Sequence, residues 1–542
     1  MKKLSTHSRQ PNIKKMQEME FDLVIIGGGI NGAGAAREAS LRGMRVALIE
    51  ARDFASGTSS KSSKLIHGGL RYLENLDFKL VFEALNERTK LFEMAPHLVH
   101  PLRFLIPLYE TSRVSMFTMG LGMWLYDALA LFQTPEMHER LSSEETLKRM
   151  PILAANKLVG SFVYSDAYMD DDRLVLETLR SAHDHGAVCA NYVKATSASF
   201  NSDGCLNGIE VTDTLATNPQ PFMLRGKHFI STVGPWTDLF GEKLFQDWKN
   251  VLRPTKGIHL TFSKARLPLT SAVVMAAENS SRIVFGIPRH EMVIIGTTDT
   301  DYSGSPELVT TDAADVDYLL EITRQYFPGG NLTKSDIIAS YAGVRPLVKD
   351  DSSTEGKTSR EHTIINDPRG VTFVAGGKYT TYRLMAEQVI ESALKSFSIE
   401  ERVQFKKTDS AIALNPWTDP ESYDKAHLNI DQYCRTSLLK KSEIQKLVAR
   451  FGTEVEEFFH HKPETLSYWQ LEAYQAIENT MCLNLIDFYT RRTPLFLSEP
   501  DHGMSVLPEV SRVFQEALGL SDAELENQVQ SLKSFIQTEL TW

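Results

Sequence analysis

A chain of 542 residues has room for two or three domains, and its 42% hydrophobic and 23% charged residues are those of an ordinary globular enzyme. The formal net charge of -11 excludes a general attraction to nucleic acid, so any anion site must be built locally from a few Arg and Lys. Cys189, Cys205, Cys434 and Cys482 show neither close pairing nor metal-ligand spacing, which reads as idle thiols in a reducing compartment and points to no metal.

Residues 1–19 are basic and polar, without the apolar core of a secretory signal, and read as a disordered or loosely attached N-terminal extension. Residues 21–26 (FDLVII) form a nearly continuous apolar run, the pattern of a parallel strand covered on both faces. Gly27, Gly29 and Gly32 follow at once, then a helical stretch over 33–42, then Gly43 and a second strand over 45–50 (RVALIE). Such a βαβ unit implies a right-handed crossover and a parallel sheet.

Residues 116–132 (MFTMGLGMWLYDALALF) carry a single charge, Asp127, are too short for a spanning helix, and read as a buried or interface-lying one. Further strand signals run into Gly234-Pro235-Trp236, into Gly296-Thr297-Thr298-Asp299 and into Gly376-Gly377-Lys378, the last followed by a helical stretch over 381–395. The expected organisation is one discontinuous α/β oxidoreductase domain over 20–395. Its dinucleotide-binding parts are 20–100, 160–250 and 356–395, and its antiparallel cap parts are 101–159 and 251–355. From 400 to 542 the periodicity is helical and predicts a separate C-terminal domain.

In the G-x-G-x-x-G match, Gly27 permits the tight turn, Gly29 lets backbone approach a pyrophosphate, and Gly32 lets helix and strand pack closely. Glu50, closing the second strand, supplies a carboxylate for ribose hydroxyls. NAD and FAD both use this cradle. The late element at Gly376-Gly377 favours FAD, because a helix N-terminus there stabilises the negative charge of a reduced flavin.

The block 58–73 (TSSKSSKLIHGGLRYL) resembles that of the FAD-dependent, quinone-linked respiratory glycerol-3-phosphate dehydrogenase family. Collinear stretches agree: Ala95-Pro96-His97-Leu98, 168–174 (YMDDDRL), Gly234-Pro235-Trp236, 295–299 (IGTTD), 343–347 (GVRPL), 376–383 (GGKYTTYR) and, more thinly, Arg491-Arg492-Thr493. The resemblance implies a Rossmann-type FAD domain of the D-amino-acid-oxidase-like class with an antiparallel substrate cap. It also implies hydride transfer from C2 of glycerol 3-phosphate to FAD, dihydroxyacetone phosphate as product, and electrons passed to a membrane quinone. The protein would then sit peripherally on the cytoplasmic face of the membrane, with a homodimer left open.

A phosphate dianion calls for guanidinium and ammonium groups in a partly dry pocket. Arg71, Arg345, Arg360 and Lys378 match the family's substrate-site motifs, and His259 matches its active-site histidine. An imidazole suits a base that takes and returns one proton, while Arg345 is a second candidate for polarising the same hydroxyl. Thr58, Ser59, Ser60, Ser62 and Ser63 offer hydroxyls and N–H groups to the cofactor, joined by Gly234, Gly376, Gly377 and Lys378; His67 reads as structural or flavin-adjacent. Three rivals remain at this point. A glycerol-3-phosphate oxidase would share every motif, an amine oxidase of the same fold would need a carboxylate clamp, and a flavin-binding RNA adaptor would need an exposed basic stripe that this acidic chain lacks.

Overall fold

A computed structural model describes residues 2–70, 73, 77–276, 282–290, 292–349 and 362–542. Its first sheet is built on Glu20–Ile26, whose side chains from Phe21 onward are all buried because helices and a hairpin cover both faces. That strand pairs in parallel with Val46–Ile49 on one side and Phe222–Ser231 on the other. Val188–Ala190 and Val371–Gly376 extend the parallel set outward, so it gathers strands from well-separated stretches of chain. His362–Asp367 pairs antiparallel at the edge beyond Val371–Gly376, and a hairpin of Val193–Phe200 and Leu206–Asp213 continues from Phe222–Ser231.

The helix Ile30–Leu41 lies between the helices Asp171–Asp184 and Tyr382–Leu394. Its buried face is largely alanine (Ala33, Ala35, Ala36, Ala39), and these small side chains let the three helices sit close together on the sheet.

A second sheet of ten strands forms the cap. Its spine is the long antiparallel pair Leu252–Ser263 and Ile337–Val348, flanked by Met292–Gly296 and Ile283–Arg289. Ala272–Ala276 then joins this group to Val99–Tyr109 and Leu158–Met169. The C-terminal region is helical, and its last long helix, Asp522–Glu539, reaches back to the cap, where the Ser340 hydroxyl donates to the Glu539 carbonyl.

The start of the chain corrects the expectation of disorder. Thr6–Glu18 is a helix, opened by a capping box between Ser5 and Ser8. It buries Arg9 and Asn12 beside Ile13 and Met16. Arg9 bonds the Asp213 carboxylate and the Asn191 carbonyl (3.0 Å), and the Asn12 amide donates to the Cys189 carbonyl at 2.9 Å. Two of its four buried anchors are polar, so hydrophobic periodicity carries no sign of docking.

Residues of the apolar stretch form the helix Met116–Leu129, which buries Met123, Tyr126 and Asp127. Asp127 is paired with His138 Nδ1 at 2.6 Å, which accounts for a carboxylate in so apolar a segment. Among the described residues, no helix is long and apolar enough to cross a membrane.

Candidate active site

A cavity of about 980 Å³ runs from the C-terminal ends of Glu20–Ile26 and Val46–Ile49 to the cap strands Leu252–Ser263 and Ile337–Val348. The carboxyl ends of parallel strands are where ligands of open α/β sheets bind. At one end the glycines act by close approach. A Cβ on Gly32 would stand 1.9 Å from the Gly27 carbonyl oxygen, and Gly27 itself turns with φ of 111°. A Cβ on Gly29 would lie 2.9 Å from Ser59 Oγ, so only a bare backbone leaves this corner open. The helix Ile30–Leu41 begins here, and its first N–H, from Ile30, donates to Ser59 Oγ at 3.0 Å.

Glu50 lines the cavity. Its carboxylate is oriented by two backbone donors, Gly28 N–H at 2.7 Å and Arg52 N–H at 3.0 Å. Burial pushes its pKa up, opposed by those same hydrogen bonds.

The serine-rich block divides into separate jobs. Ser59 belongs to the cradle. Thr58 donates to the Val344 carbonyl at 2.7 Å and ties the block to the cap while still lining the cavity. Ser60 is buried, bonds the Gly57 carbonyl within its own turn, and is not among the residues that line the cavity, against the expectation that it faces the cofactor. Thr58–Ser60 is a single 3-10 turn, whose successive side chains point about 120° apart, so one of the three turns away from the cavity, which the composition of the block does not reveal. Ser62 lines the cavity but donates to Asp171 at 2.7 Å, and Ser63 Oγ lies 2.8 Å from His259 Nε2. Gly234, Gly376 and Gly377 all line the cavity, and so does Trp236, whose buried Nε1 donor has no hydrogen-bond partner among the described residues.

At the far end the groups are side chains. His259 is paired across the sheet with Tyr341 on one side and Gly296 on the other. Its ring stacks on Tyr341 with centroids 4.7 Å apart and planes 13° from parallel. Gly296 makes room for it, since a Cβ there would come within 2.1 Å of the ring. Burial, with Arg345 and Lys64 adding to it, holds the imidazole pKa well below its usual value. Near neutral pH the ring is therefore uncharged.

Arg345 lies flat across Gly257, where a Cβ would meet its guanidinium at 2.3 Å. It donates to Thr297 Oγ1 at 2.7 Å, to the Thr298 carbonyl at 3.1 Å and to Asp299 Oδ1 at 3.1 Å. Lys378 lines the same cavity just before the turn Tyr379–Thr381, and His67 lines it as well. The cavity thus brings together His259, Arg345 and Lys378. Arg71 and Arg360 lie outside the described residues.

One buried feature escaped sequence reasoning. Lys64 forms an ion pair with Asp171, which also takes the Ser62 hydroxyl, while Tyr379 donates to the Asp171 carbonyl. Asp171 thereby fixes the segment that sets Ser63 against His259. The signal was present in the Asp170-Asp171-Asp172 run, since three consecutive acids entering a helix seldom stay buried without cationic partners.

A glycine cradle, a carboxylate in the cavity wall, an unsatisfied indole donor and a cavity of this size fit an adenine dinucleotide carrying a redox ring at the cationic end. The model of FAD-dependent oxidoreductases matches residues 22–383, and that of the C-terminal domain of alpha-glycerophosphate oxidase matches 422–525. The chain is similar to the aerobic glycerol-3-phosphate dehydrogenase of Staphylococcus saprophyticus, with 33% identity over 99% of this chain and 98% of that protein. It is 34% identical to the Staphylococcus haemolyticus protein of the same name, over 90% of this chain and 89% of the other. Among solved structures, the glycerol-3-phosphate dehydrogenase from Bacillus halodurans complexed with FAD superposes with a TM-score of 0.80 at 28% identity, covering 99% of this chain and 98% of that one.

Proposed function

This chain belongs to the FAD-dependent oxidoreductase family and groups there with the aerobic glycerol-3-phosphate dehydrogenases, and from that premise we propose that it oxidises sn-glycerol 3-phosphate to dihydroxyacetone phosphate. FAD, when bound, supplies the acceptor for the hydride that leaves C2. The observation that carries the reading is the buried His259, which lines, with Arg345 and Lys378, the cavity that begins at the glycine cradle. Arg345 and Lys378 hold the phosphate dianion by charge-assisted hydrogen bonds and so orient the secondary alcohol. His259 takes the hydroxyl proton, with Ser63 fixing the ring through Nε2. Tyr341, stacked on the ring from the neighbouring strand, helps to bury the imidazole.

We assign a membrane quinone as the final acceptor, reached from a peripheral position on the membrane. Support comes from the helix Met116–Leu129 and its continuation, where Phe117 (74% exposed), Leu121, Trp124 (59%), Leu131 and Phe132 turn large apolar surfaces outward. Soluble surfaces rarely group so many large apolar side chains, and an aromatic–aliphatic face of this kind suits an interfacial helix.

Anaerobic mixing with glycerol 3-phosphate should bleach the flavin absorbance, whereas sarcosine should not. Adding a soluble quinone should then restore the colour faster than air does. Bleaching by sarcosine alone would replace the reading with an amine oxidase, and stoichiometric peroxide with no quinone turnover would replace it with a glycerol-3-phosphate oxidase.

A further inference from the structure

Asp53 is an unexpected place for a buried carboxylate, at 1% exposure in the loop that leaves the second strand of the nucleotide fold just after Glu50. Its partners come from the other end of the chain. Arg491 Nε donates to Oδ2 at 2.6 Å, and Arg492 forks onto both oxygens, with 2.8 Å to Oδ1. Asn191 adds a fourth donor to Oδ1 at 3.1 Å. Arg492 is itself braced by Thr480, through its side-chain and main-chain oxygens, and Arg491 by Asp487 at 2.6 Å. Asp487 also takes the hydroxyl of Tyr192 at 2.8 Å, and Tyr192 lines the cavity.

The loop gripped in this way is the wall of one end of the cavity. The cradle fixes where a pyrophosphate lies, and Glu50 marks the ribose beyond it. The lining past Glu50 is Ala51, Arg52, Tyr192, Val193, Thr214 and Leu215, which is the adenosine end. The loop is stitched on both sides of Asp53: Tyr192 N–H donates to the Arg52 carbonyl at 2.9 Å, and Ala55 N–H to the Gly28 carbonyl at 3.0 Å. The docked N-terminal helix joins the same knot, since Arg9 bonds the carbonyls of Asn191 and Tyr192.

We propose that Arg491 and Arg492 are positioning residues for bound FAD, clamping Asp53 so that the C-terminal domain preorganises the adenosine end of the cofactor site. The proposal rests on FAD occupying the cradle and not on the identity of the substrate. A buried carboxylate cannot be left without its cations, so the loop adopts its binding conformation only with the C-terminal domain in place. Without the clamp, cofactor binding must itself order the loop, which weakens affinity.

The test uses the full-length protein stripped of cofactor and titrated with FAD and, separately, with ADP, which reports on the adenosine half alone. In R492M and in the milder D53N, the Kd for both should rise together by about tenfold, within the usual span of coupling between sites. At saturating FAD, the KM for glycerol 3-phosphate should return to the wild-type value. Unchanged FAD and ADP affinity in D53N would overturn the proposal, including where R492M fails to fold, because D53N keeps the side-chain shape. Weakened FAD binding with ADP binding untouched, or a KM that stays raised at saturating FAD, would overturn it too, by moving the effect to the ring end of the cavity.

Discussion

The two ends of the cavity are built by opposite means. The cradle end works by backbone and by absence: N–H groups at the start of Ile30–Leu41 and glycines whose missing Cβ atoms leave the space. The other end works by side chains: His259 and Arg345 stand on the paired cap strands, held by Ser63 and by Thr297, and Lys378 follows the nucleotide-sheet strand Val371–Gly376 into the same cavity. Two buried histidines make the contrast concrete. His228, in the nucleotide sheet, has both ring nitrogens within hydrogen-bond distance of hydroxyls, Thr372 at 2.8 Å and Ser396 at 3.0 Å. His259 has Ser63 on Nε2, while Nδ1 has no partner among the described residues. His259 thus carries a buried nitrogen without a protein partner among the described residues while lining the cavity, where His228 is satisfied on both sides.

If the cradle end works by absence, adding atoms there is the most damaging change. Gly29→Val should abolish FAD binding while leaving the fold intact, because the nearest atom to the new side chain is only the Ser59 hydroxyl. Purified variant retaining the flavin absorbance of the wild type would refute the assignment. The cap end should respond to removal instead. Arg345→Ala should lower kcat/KM for glycerol 3-phosphate by about 2–4 kcal/mol, the cost of losing charge-assisted contacts to a dianion, with flavin content unchanged. Steady-state kinetics equal to wild type would take Arg345 out of the site.

His259→Ala should slow flavin reduction by about a hundredfold in single-turnover mixing, at the low end for a general base. Since burial keeps this imidazole uncharged, the wild-type reduction rate should stay level from pH 8 down to pH 6. A decline centred near pH 6.5 would show that the ring titrates as it does in water. An effect on stability alone belongs to His228, whose pKa burial lowers to about 4. It is neutral in the folded chain and takes up a proton only on unfolding, so its share of stability is complete above pH 6.5 and shrinks as pH falls towards 4. The slope is at most about 1.4 kcal/mol per pH unit. His228→Gln should flatten the decline of Tm between pH 6.5 and 4.5, and an unaltered pH profile would remove His228 as its source.

How much of this was legible followed the range of the interactions. The strand–glycine–helix unit was readable because its parts are contiguous: an apolar run, three glycines and Glu50 state the local geometry directly. His259, Arg345 and Lys378 were found through their family motifs and lie in one cavity. The Lys64–Asp171 pair and the Arg491 and Arg492 grip on Asp53 were not foreseen, since ion pairs between residues 107 and 438 or 439 positions apart leave no periodicity. Ser60 was misread for a local reason, and the N-terminal helix because two of its buried anchors are an arginine and an asparagine.

By itself, then, the amino-acid order determined the nucleotide cradle, because hydrophobic pattern and glycine placement act on neighbouring residues and need no partner from afar. Only the tertiary structure decided which charges meet. It brought Asp53 under the C-terminal arginines and set a neutral imidazole between Ser63 and Tyr341, because burying a polar group is tolerable only where the rest of the fold delivers its complement.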